Sequence, residues 1–390
     1  MTLTTVAVKN IGRNMFRTIL TMLGVVVAMM AFLLLRTVIS SWLMGVELAA
    51  KDRVATRHKV TFIMTLPKRY VDDVAAVPGV KEVAHFNWFG AKLAGKEDVF
   101  FGNMATDPES FLRVYDEIVV PEDQKKNWLA NRQGALVGSA LAKQVGLKVG
   151  DKITMKGTIF PGDWPMTVEG IYTTTRKSID QSTLWFHYKY LNESPVLTPP
   201  MKNQVGWIVA KIKNANDAAS ITQKIDAMFD TRDVQTLSMS EGAMNASFMS
   251  MFATMLKAID LVSFVILIIM MLILGNTIAM GTRERTHEYG VLRAIGFMPK
   301  HLAFFVLGEA TVIGLVGGIF GVAFAYFMVN NGMGAAIEEN SGGMFLYFRM
   351  KESDAVMGLF IATGIAALAA AVPAYRASKL NVIDALRRVA

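Results

Sequence analysis

The sequence predicts an α-helical membrane protein with four transmembrane helices and a large mixed α/β extracytoplasmic domain inserted between helices 1 and 2. Three observations predict this fold class. The 390 residues are 53% hydrophobic and only 18% charged, whereas an average soluble domain carries about 25% charged residues. Four apolar runs are as long as the ~20 residues that a helix needs to cross a bilayer. A polar stretch of roughly 200 residues, long enough for a sizeable core, separates the first run from the second.

The four spans follow from the apolar runs. The first is predicted at 18–46, where Arg36 is the sole charged residue, and the others at 251–282, 301–333 and 355–375. The first run exceeds the apolar core of a signal peptide and no clear cleavage site follows it, so we expect it to be a retained helix.

The charge bias orients these helices. Basic residues outnumber acidic ones in 1–17, 283–300 and 376–390, and acidic residues prevail in 334–354. Because lysine and arginine mark the cytoplasmic side of membrane proteins, both termini and the 283–300 loop are predicted inside. The 334–354 loop and the 47–250 domain are then outside. The net charge of +8 is assigned to the inner loops, and no nucleic-acid partner is predicted.

The outer segment has the signals of a mixed α/β domain. Asp107 followed by Pro108 is typical of a helix start. Ser238 with Glu241 predicts a capping box, and the helix that it opens is expected to run unbroken into the second span. The predicted strands include Val60–Met64, Val80–Phe86 and Trp207–Ile212.

Several kinds of chemistry are absent from the sequence. Without cysteine, the chain has neither disulfides nor thiolate metal sites. It contains no phosphate-binding P-loop, no hydrolase elbow and no zinc-protease motif, and its five histidines are scattered without metal-ligand spacing. We therefore predict a non-catalytic chain that holds no cofactor or metal of its own.

The most informative segment is Gly281–Phe297, between the second and third spans. It places charged and apolar residues at helical spacing: Glu284, Glu288, Val291, Leu292 and Ile295. Such a segment forms a short amphipathic helix. Periodicity alone leaves two functions open, a solvated loop with an interfacial anchor or a docking helix for a cytoplasmic partner.

This segment resembles the E-R-T-x-E-I-G-V-L-R-A-I-G-A signature of permeases of the MacB/FtsX/LolC–LolE type, the mechanotransmission (type VII) class of ABC transporters. Four other parts of the chain resemble these permeases in the same order: Val77–Val80, Leu136–Ala142 followed by Gly146–Ile153, Gly314–Gly321, and Pro373–Leu380 followed by Ala385–Arg387. Tyr289 replaces the usual Ile, Phe297 replaces Ala, and Asn381-Val382 replaces Asp-Pro. These departures bear on which ATPase docks.

The resemblance implies a permease subunit that works with other chains. It implies a homo- or heterodimer of permeases on two ATPase subunits, which bind ATP and Mg²⁺. Because the 390 residues contain no P-loop, we expect the ATPase to be a separate chain. The coupling residues expected to enter an ATPase groove are Arg283, Glu284, Glu288, Tyr289, Val291, Leu292, Arg293 and Ile295.

The resemblance also implies a place and a task. The place is a bacterial inner membrane, in contact with lipid, with a periplasmic adaptor and an outer-membrane exit duct as further candidate partners. The task is export or extraction of a substrate at the outer face, such as a lipoprotein, a peptide or an amphipathic drug. The alternative is an FtsX-like transducer that activates a periplasmic cell-wall hydrolase, although such members carry smaller inserts.

Two charged residues within the spans are functional candidates because charge inside a bilayer is costly. Glu309 is expected to pair with Arg283 or Arg293, or else to transmit motion directly. Arg36 is expected to reach the outer headgroups, or else to face a dimer seam.

The third span carries two pairs of glycines with the spacing that lets helices approach closely. These pairs are Gly314 with Gly318 and Gly317 with Gly321. The spacing leaves open whether they pack within one subunit or across a dimer.

Overall fold

The structure is a computed structural model that describes residues 15–176 and 179–381. These residues form two compact units. Their described parts are 15–40, 253–334 and 349–381 for the helical unit, and 41–252 with 335–348 for the α/β unit.

Helices and strands alternate along the α/β unit, and long helices dominate the rest. The helices are α1 Met15–Glu47, α2 Tyr70–Ala75, α3 Pro108–Val114, α4 Glu122–Ala130, α5 Ser139–Val145, α6 Tyr188–Asn192, α7 Ala218–Phe229, α8 Glu241–Ser250, α9 Ala253–Glu284, α10 Thr286–Ala294, α11 Pro299–Phe327, α12 Gly334–Asn340 and α13 Glu352–Ser378. The strands are β1 Arg53–His58, β2 Leu66–Pro67, β3 Val80–Trp88, β4 Ala91–Leu93, β5 Asn103–Thr106, β6 Ile118–Val119, β7 Gly134–Gly138, β8 Lys152–Gly157, β9 Gly162–Thr174, β10 Leu184–His187, β11 Gln204–Val205, β12 Trp207–Ile212 and β13 Thr236–Ser240.

The helical unit supplies the membrane-spanning segments. Within the described ranges, four helices are long and apolar enough to cross a membrane: α1, α9, α11 and α13. A π-helical segment, Met328–Met333, continues α11 into α12. The four spans of the predicted fold class are confirmed.

The glycines of α11 let two different helices approach it. A Cβ on Gly314 would lie 2.3 Å from Ala366 Cβ of α13, and one on Gly318 would lie 2.8 Å from Ala362 Cβ of the same helix. On the adjacent face, Gly317 and Gly321 meet α1 in the same way. Both pairs therefore serve helix packing within one chain.

The α/β unit is built on an 11-stranded mixed sheet. Its main path runs in the order β13-β1-β12-β3-β5-β10-β7-β9-β8-β4, and β6 pairs with β9. The pairs β10–β5 and β7–β9 are parallel and the other pairs are antiparallel. A separate two-stranded ribbon joins β2 to β11.

Two apolar cores cover this sheet. Side chains alternate between the faces of a strand, so the neighbours Val83 and Ala84 of β3 enter different cores, and so do Ala135 and Leu136 of β7. The large mixed α/β domain between the first and second spans is thereby confirmed.

Two local predictions were wrong. Val60–Met64 forms no strand, because the strand here is β1, which ends at His58 and pairs with β12 and β13. Ser238 caps no helix, because it lies within β13, where its hydroxyl donates to Asp226. The cap of α8 is Ser240, and α8 and α9 are separate helices, so the helix does not run unbroken into the second span.

Candidate functional site

The segment between the second and third spans folds into the short helix α10. After Ile295 the chain turns at Gly296, whose φ of 103° favours glycine. The amide of Gly296 donates to Arg293 O and that of Phe297 donates to Leu292 O, the hydrogen-bond pattern of a Schellman stop. The helix is thus closed by its own sequence before α11 begins.

An ion pair holds this helix against the third span. Arg285 Nη1 donates to Glu309 Oε2 at 2.7 Å, and the two side chains are only 9% and 21% exposed. The prediction that Glu309 pairs with Arg283 or Arg293 is therefore wrong. Arg285 is the partner because it lies one helical turn before the buried Tyr289, on the inward face of the segment.

The faces of α10 differ in exposure. Tyr289 is buried, and this burial raises the pKa of its phenol. Glu288, Leu292 and Arg293 are half-buried. Within 286–295, the large apolar side chains that remain exposed are Val291, at 41%, and Ile295, at 68%. The predicted docking set is therefore divided: Tyr289 packs inward, and Val291 and Ile295 are available to a partner.

The charged residues at the end of α9 lie outside this face. Glu284 accepts a hydrogen bond from Arg17 of α1 at 2.7 Å. Arg283 lines a cavity between α9 and α13.

The other charged residue predicted within a span also has an acidic neighbour. Arg36 of α1 lies 3.8 Å from the carboxylate of Asp260 in α9.

Two partners at this site, Arg285 and Arg17, were missed by sequence reasoning. A carboxylate in an apolar helix needs a cationic partner, so Glu309 gave a usable signal. The basic residues predicted on the same side of the membrane include Arg17, Arg283, Arg285, Arg293 and Lys300, and only the fold selects among them.

A second buried charge cluster ties the α/β unit together where the chain enters and leaves it. Arg53 of β1 is 1% exposed; its Nε donates to Glu241 Oε2 at 2.9 Å and its Nη1 donates to Glu117 Oε2 at 2.8 Å. The backbone amide of Ala50 and the hydroxyl of Tyr115 also donate to Glu241. Burial lowers the pKa of Arg53, but the carboxylates outweigh it, and the net pKa is raised.

This cluster is a structural clasp. Arg53 follows α1, and Glu241 opens α8, which precedes α9. Every member has a charged or hydrogen-bonded partner, so the cluster has the properties of a buried salt-bridge network. Within residues 15–176 and 179–381, no group of three or more acidic or histidine side chains is arranged to hold a metal ion.

Matches to two known protein families together cover most of the chain. Residues 18–228 match the MacB-like periplasmic core domain, and residues 261–382 match the FtsX-like permease C-terminal region. The ABC transporter permease YtrF of Bacillus subtilis (strain 168) is 31% identical over 121 residues, which are 29% of this chain and 28% of YtrF. The macrolide export ATP-binding/permease protein MacB of Shewanella sp. (strain ANA-3) is 23% identical over 361 residues, 88% of this chain and 50% of that protein. The chain thus spans half or less of the length of these relatives.

Two solved structures are similar to about half of this chain. The extracellular domain of the noncanonic ABC-type transporter YknZ from Gram-positive bacteria is 12% identical, with a TM-score of 0.37, and covers 48% of this chain and 100% of that domain. The periplasmic region of MacB from Actinobacillus actinomycetemcomitans is 12% identical, with a TM-score of 0.35, and covers 50% of this chain and 92% of that region. The periplasmic-core match alone takes in more than half of the 390 residues, and the chain therefore belongs to the MacB/FtsX-type family of ABC transporter permeases.

Proposed function

We propose that this protein is the membrane subunit of a MacB-like ABC transporter in a bacterial inner membrane, and that α10 docks onto a separate ATPase subunit. One observation carries the proposal. The helix is fixed to α11 through Arg285 and Glu309 while it keeps Val291 and Ile295 exposed. Covering one such aliphatic side chain contributes roughly 1.5–3 kcal/mol, so this face is suited to a groove in a partner.

The packing of the helical unit gives a route for motion. Glu309 lies in α11, and α11 is in glycine-mediated contact with both α1 and α13. Because close-packed helices shift together and deform little, a displacement of α10 passes to three spans at once. In this proposal two permeases form a dimer on two ATPases, and the ATPases hold the ATP and Mg²⁺.

The substrate is acted on at the outer face of the membrane. The α/β unit belongs to the MacB-like periplasmic core family, and one relative is named for macrolide export. These observations support export or extraction of an amphipathic drug, a peptide or a lipoprotein, and they favour this task over the activation of a cell-wall hydrolase.

The first test is assembly. Purified alone, the full chain should not hydrolyse ATP, and a cognate ATPase should co-purify with it and have its activity altered by it. Ile295→Asp should abolish co-purification because it places a charge on the docking face. Ile159→Asp is the matched control, since Ile159 is 50% exposed in the α/β unit. Normal assembly of the Ile295 variant, or equal loss in both variants, contradicts the proposal.

The second test is topology, for which the absence of native cysteine is convenient. A cysteine at Val196, 43% exposed in the α/β unit, should react with an impermeant thiol reagent in intact spheroplasts. A cysteine at Ile295 should react only after the membrane is opened. The reverse pattern overturns the proposed orientation.

A further inference from the structure

A groove with a cationic end lies between the second and fourth spans. Its volume is about 320 Å³, and its lining includes Gly275, Ala279, Thr282, Arg283, Val372 and Arg376. The two arginines come from the last turns of α9 and α13. The small residues Gly275 and Ala279 leave the groove open along the apolar part of α9. Its walls are therefore apolar, and its positive charge is concentrated at one end.

In the part of the chain that the structure describes, neither arginine has an acidic partner. Among residues 15–176 and 179–381, no carboxylate lies within ion-pair distance of Arg283 or Arg376. The neighbouring acid, Glu284, is already paired with Arg17 at 2.7 Å. The hydroxyl of Thr282 donates to the carbonyl of Ile278. The guanidinium groups are thus the charged donors left for a ligand in this groove.

We propose that this groove binds an anionic phospholipid of the cytoplasmic leaflet, with its phosphate between Arg283 and Arg376. Guanidinium groups bind phosphate through paired, charge-assisted hydrogen bonds, and basic pockets between spans bind acidic headgroups. The apolar walls at Gly275, Ala279 and Val372 receive the acyl chain. An apolar wall beside a cationic end matches an amphiphile better than free phosphate, which would leave the wall exposed.

Both arginines contribute to binding at this place. The carboxyl ends of α9 and α13 carry partial negative charge, which opposes an anion. Arg283 and Arg376 must outweigh that opposition together. This assignment also gives Arg283 a role in lipid binding, apart from the docking face of α10, and it holds whether or not an ATPase docks there.

The test is a titration of the purified full chain with phosphatidylglycerol and, separately, phosphatidylcholine, followed by native mass spectrometry. The wild type should bind phosphatidylglycerol several-fold more tightly. Arg283→Gln and Arg376→Gln should each lower that affinity about fivefold, which corresponds to about 1 kcal/mol per basic residue near a lipid surface. Lys300→Gln should change nothing, because Lys300 is an exposed cation in the first turn of α11 that does not line the groove.

A further variant changes the shape of the groove and leaves its charges in place. Val372→Trp retains both charges but fills the groove, and it should lower the affinity for phosphatidylglycerol even if an arginine variant folds poorly. Val372 is 60% exposed, so the larger side chain is not forced into a core. Equal binding of both lipids by the wild type, an equal loss in Lys300→Gln, unchanged binding in Val372→Trp, or displacement of the lipid by millimolar inorganic phosphate overturns the proposal.

Discussion

Arg285 and Glu309 are 24 residues apart in sequence, and the guanidinium of the first donates a 2.7 Å hydrogen bond to the carboxylate of the second. The contact joins the residue that directly precedes α10 to the third span. Because both side chains are largely shielded from water, each charge depends on the other for compensation. The pair fixes the position of α10 relative to α11.

The first prediction concerns this pair. Glu309→Ala should loosen α10, since a hydrogen bond to a charged group contributes about 1.5–3 kcal/mol. Hydrogen exchange of the amides of 286–294 should then become at least tenfold faster. Glu284→Ala is the control. The carboxylate of Glu284 pairs with Arg17, and the Glu284 side chain is 52% exposed. Unchanged exchange in Glu309→Ala would show that other contacts position the helix.

The second prediction concerns helix packing. Gly314→Ala should lower the thermal stability of the chain, because the new Cβ would meet Ala366 Cβ at 2.3 Å and overpacking costs about 1–3 kcal/mol. Gly364→Ala is the matched control, since nothing lies within 4 Å of the added methyl group. It should be neutral or stabilising, because alanine favours a helix over glycine by about 1 kcal/mol. Similar melting temperatures for both variants would refute the packing assigned to α11 and α13.

The third prediction concerns the clasp of the α/β unit. Arg53→Met leaves Glu241 and Glu117 without their buried partner and should destabilise this unit by about 3–5 kcal/mol. Arg113→Met breaks an ion pair with Glu82 in which the arginine is 51% exposed, and it should cost at most about 1 kcal/mol. Pulse proteolysis of the full chain reports the difference. Equal resistance of the two variants to protease contradicts the clasp.

The fourth prediction concerns pH. Burial and the nearby charge of Lys68 lower the pKa of His85, whereas Asp107 raises it. The net effect is a decrease from 6.5 to about 4. Between these values the unfolded chain binds more protons than the folded one, so stability falls as the pH drops from 6.5 towards 4. His85→Gln should remove this part of the acid sensitivity, about 3 kcal/mol at most.

The measurement is thermal unfolding of both chains at pH 7.5, 5.5 and 4.5. Burial raises the pKa of Asp107, but hydrogen bonds from Ser110 outweigh it and the net pKa lies below its ordinary 3.8, so this carboxylate stays charged over the measured range. The difference between wild type and variant isolates His85. Parallel pH curves for the two chains are inconsistent with a buried, neutral His85.

Composition and periodicity were sufficient for the coarse fold, because a bilayer imposes length and apolarity on every span. They did not identify the partner of Glu309, since selecting Arg285 requires knowing which face of the segment turns inward. Val60–Met64 has residues typical of a strand, but a strand also needs a neighbour, and Arg53–His58 occupies the place between β12 and β13.

The sequence alone also did not predict which unit contains residues 335–348. This stretch lies between two spans, yet it belongs to the α/β unit. Phe345 stacks edge-on against Trp42, with 5.4 Å between the ring centroids, and Lys143 donates to Glu339. These contacts join segments that are far apart in sequence, and no local sequence pattern predicts them.

Site-specific photo-crosslinking to the ATPase tests the central claim most directly. A photoreactive residue at Ile295 or Val291 should form an adduct with the ATPase in the assembled complex, because these side chains are the exposed apolar part of the α10 segment. The same residue at Ile159 in the α/β unit should form none. Adducts from Ile159 in equal yield, or an active complex that yields no adduct from Ile295 or Val291, would show that α10 is not the docking helix.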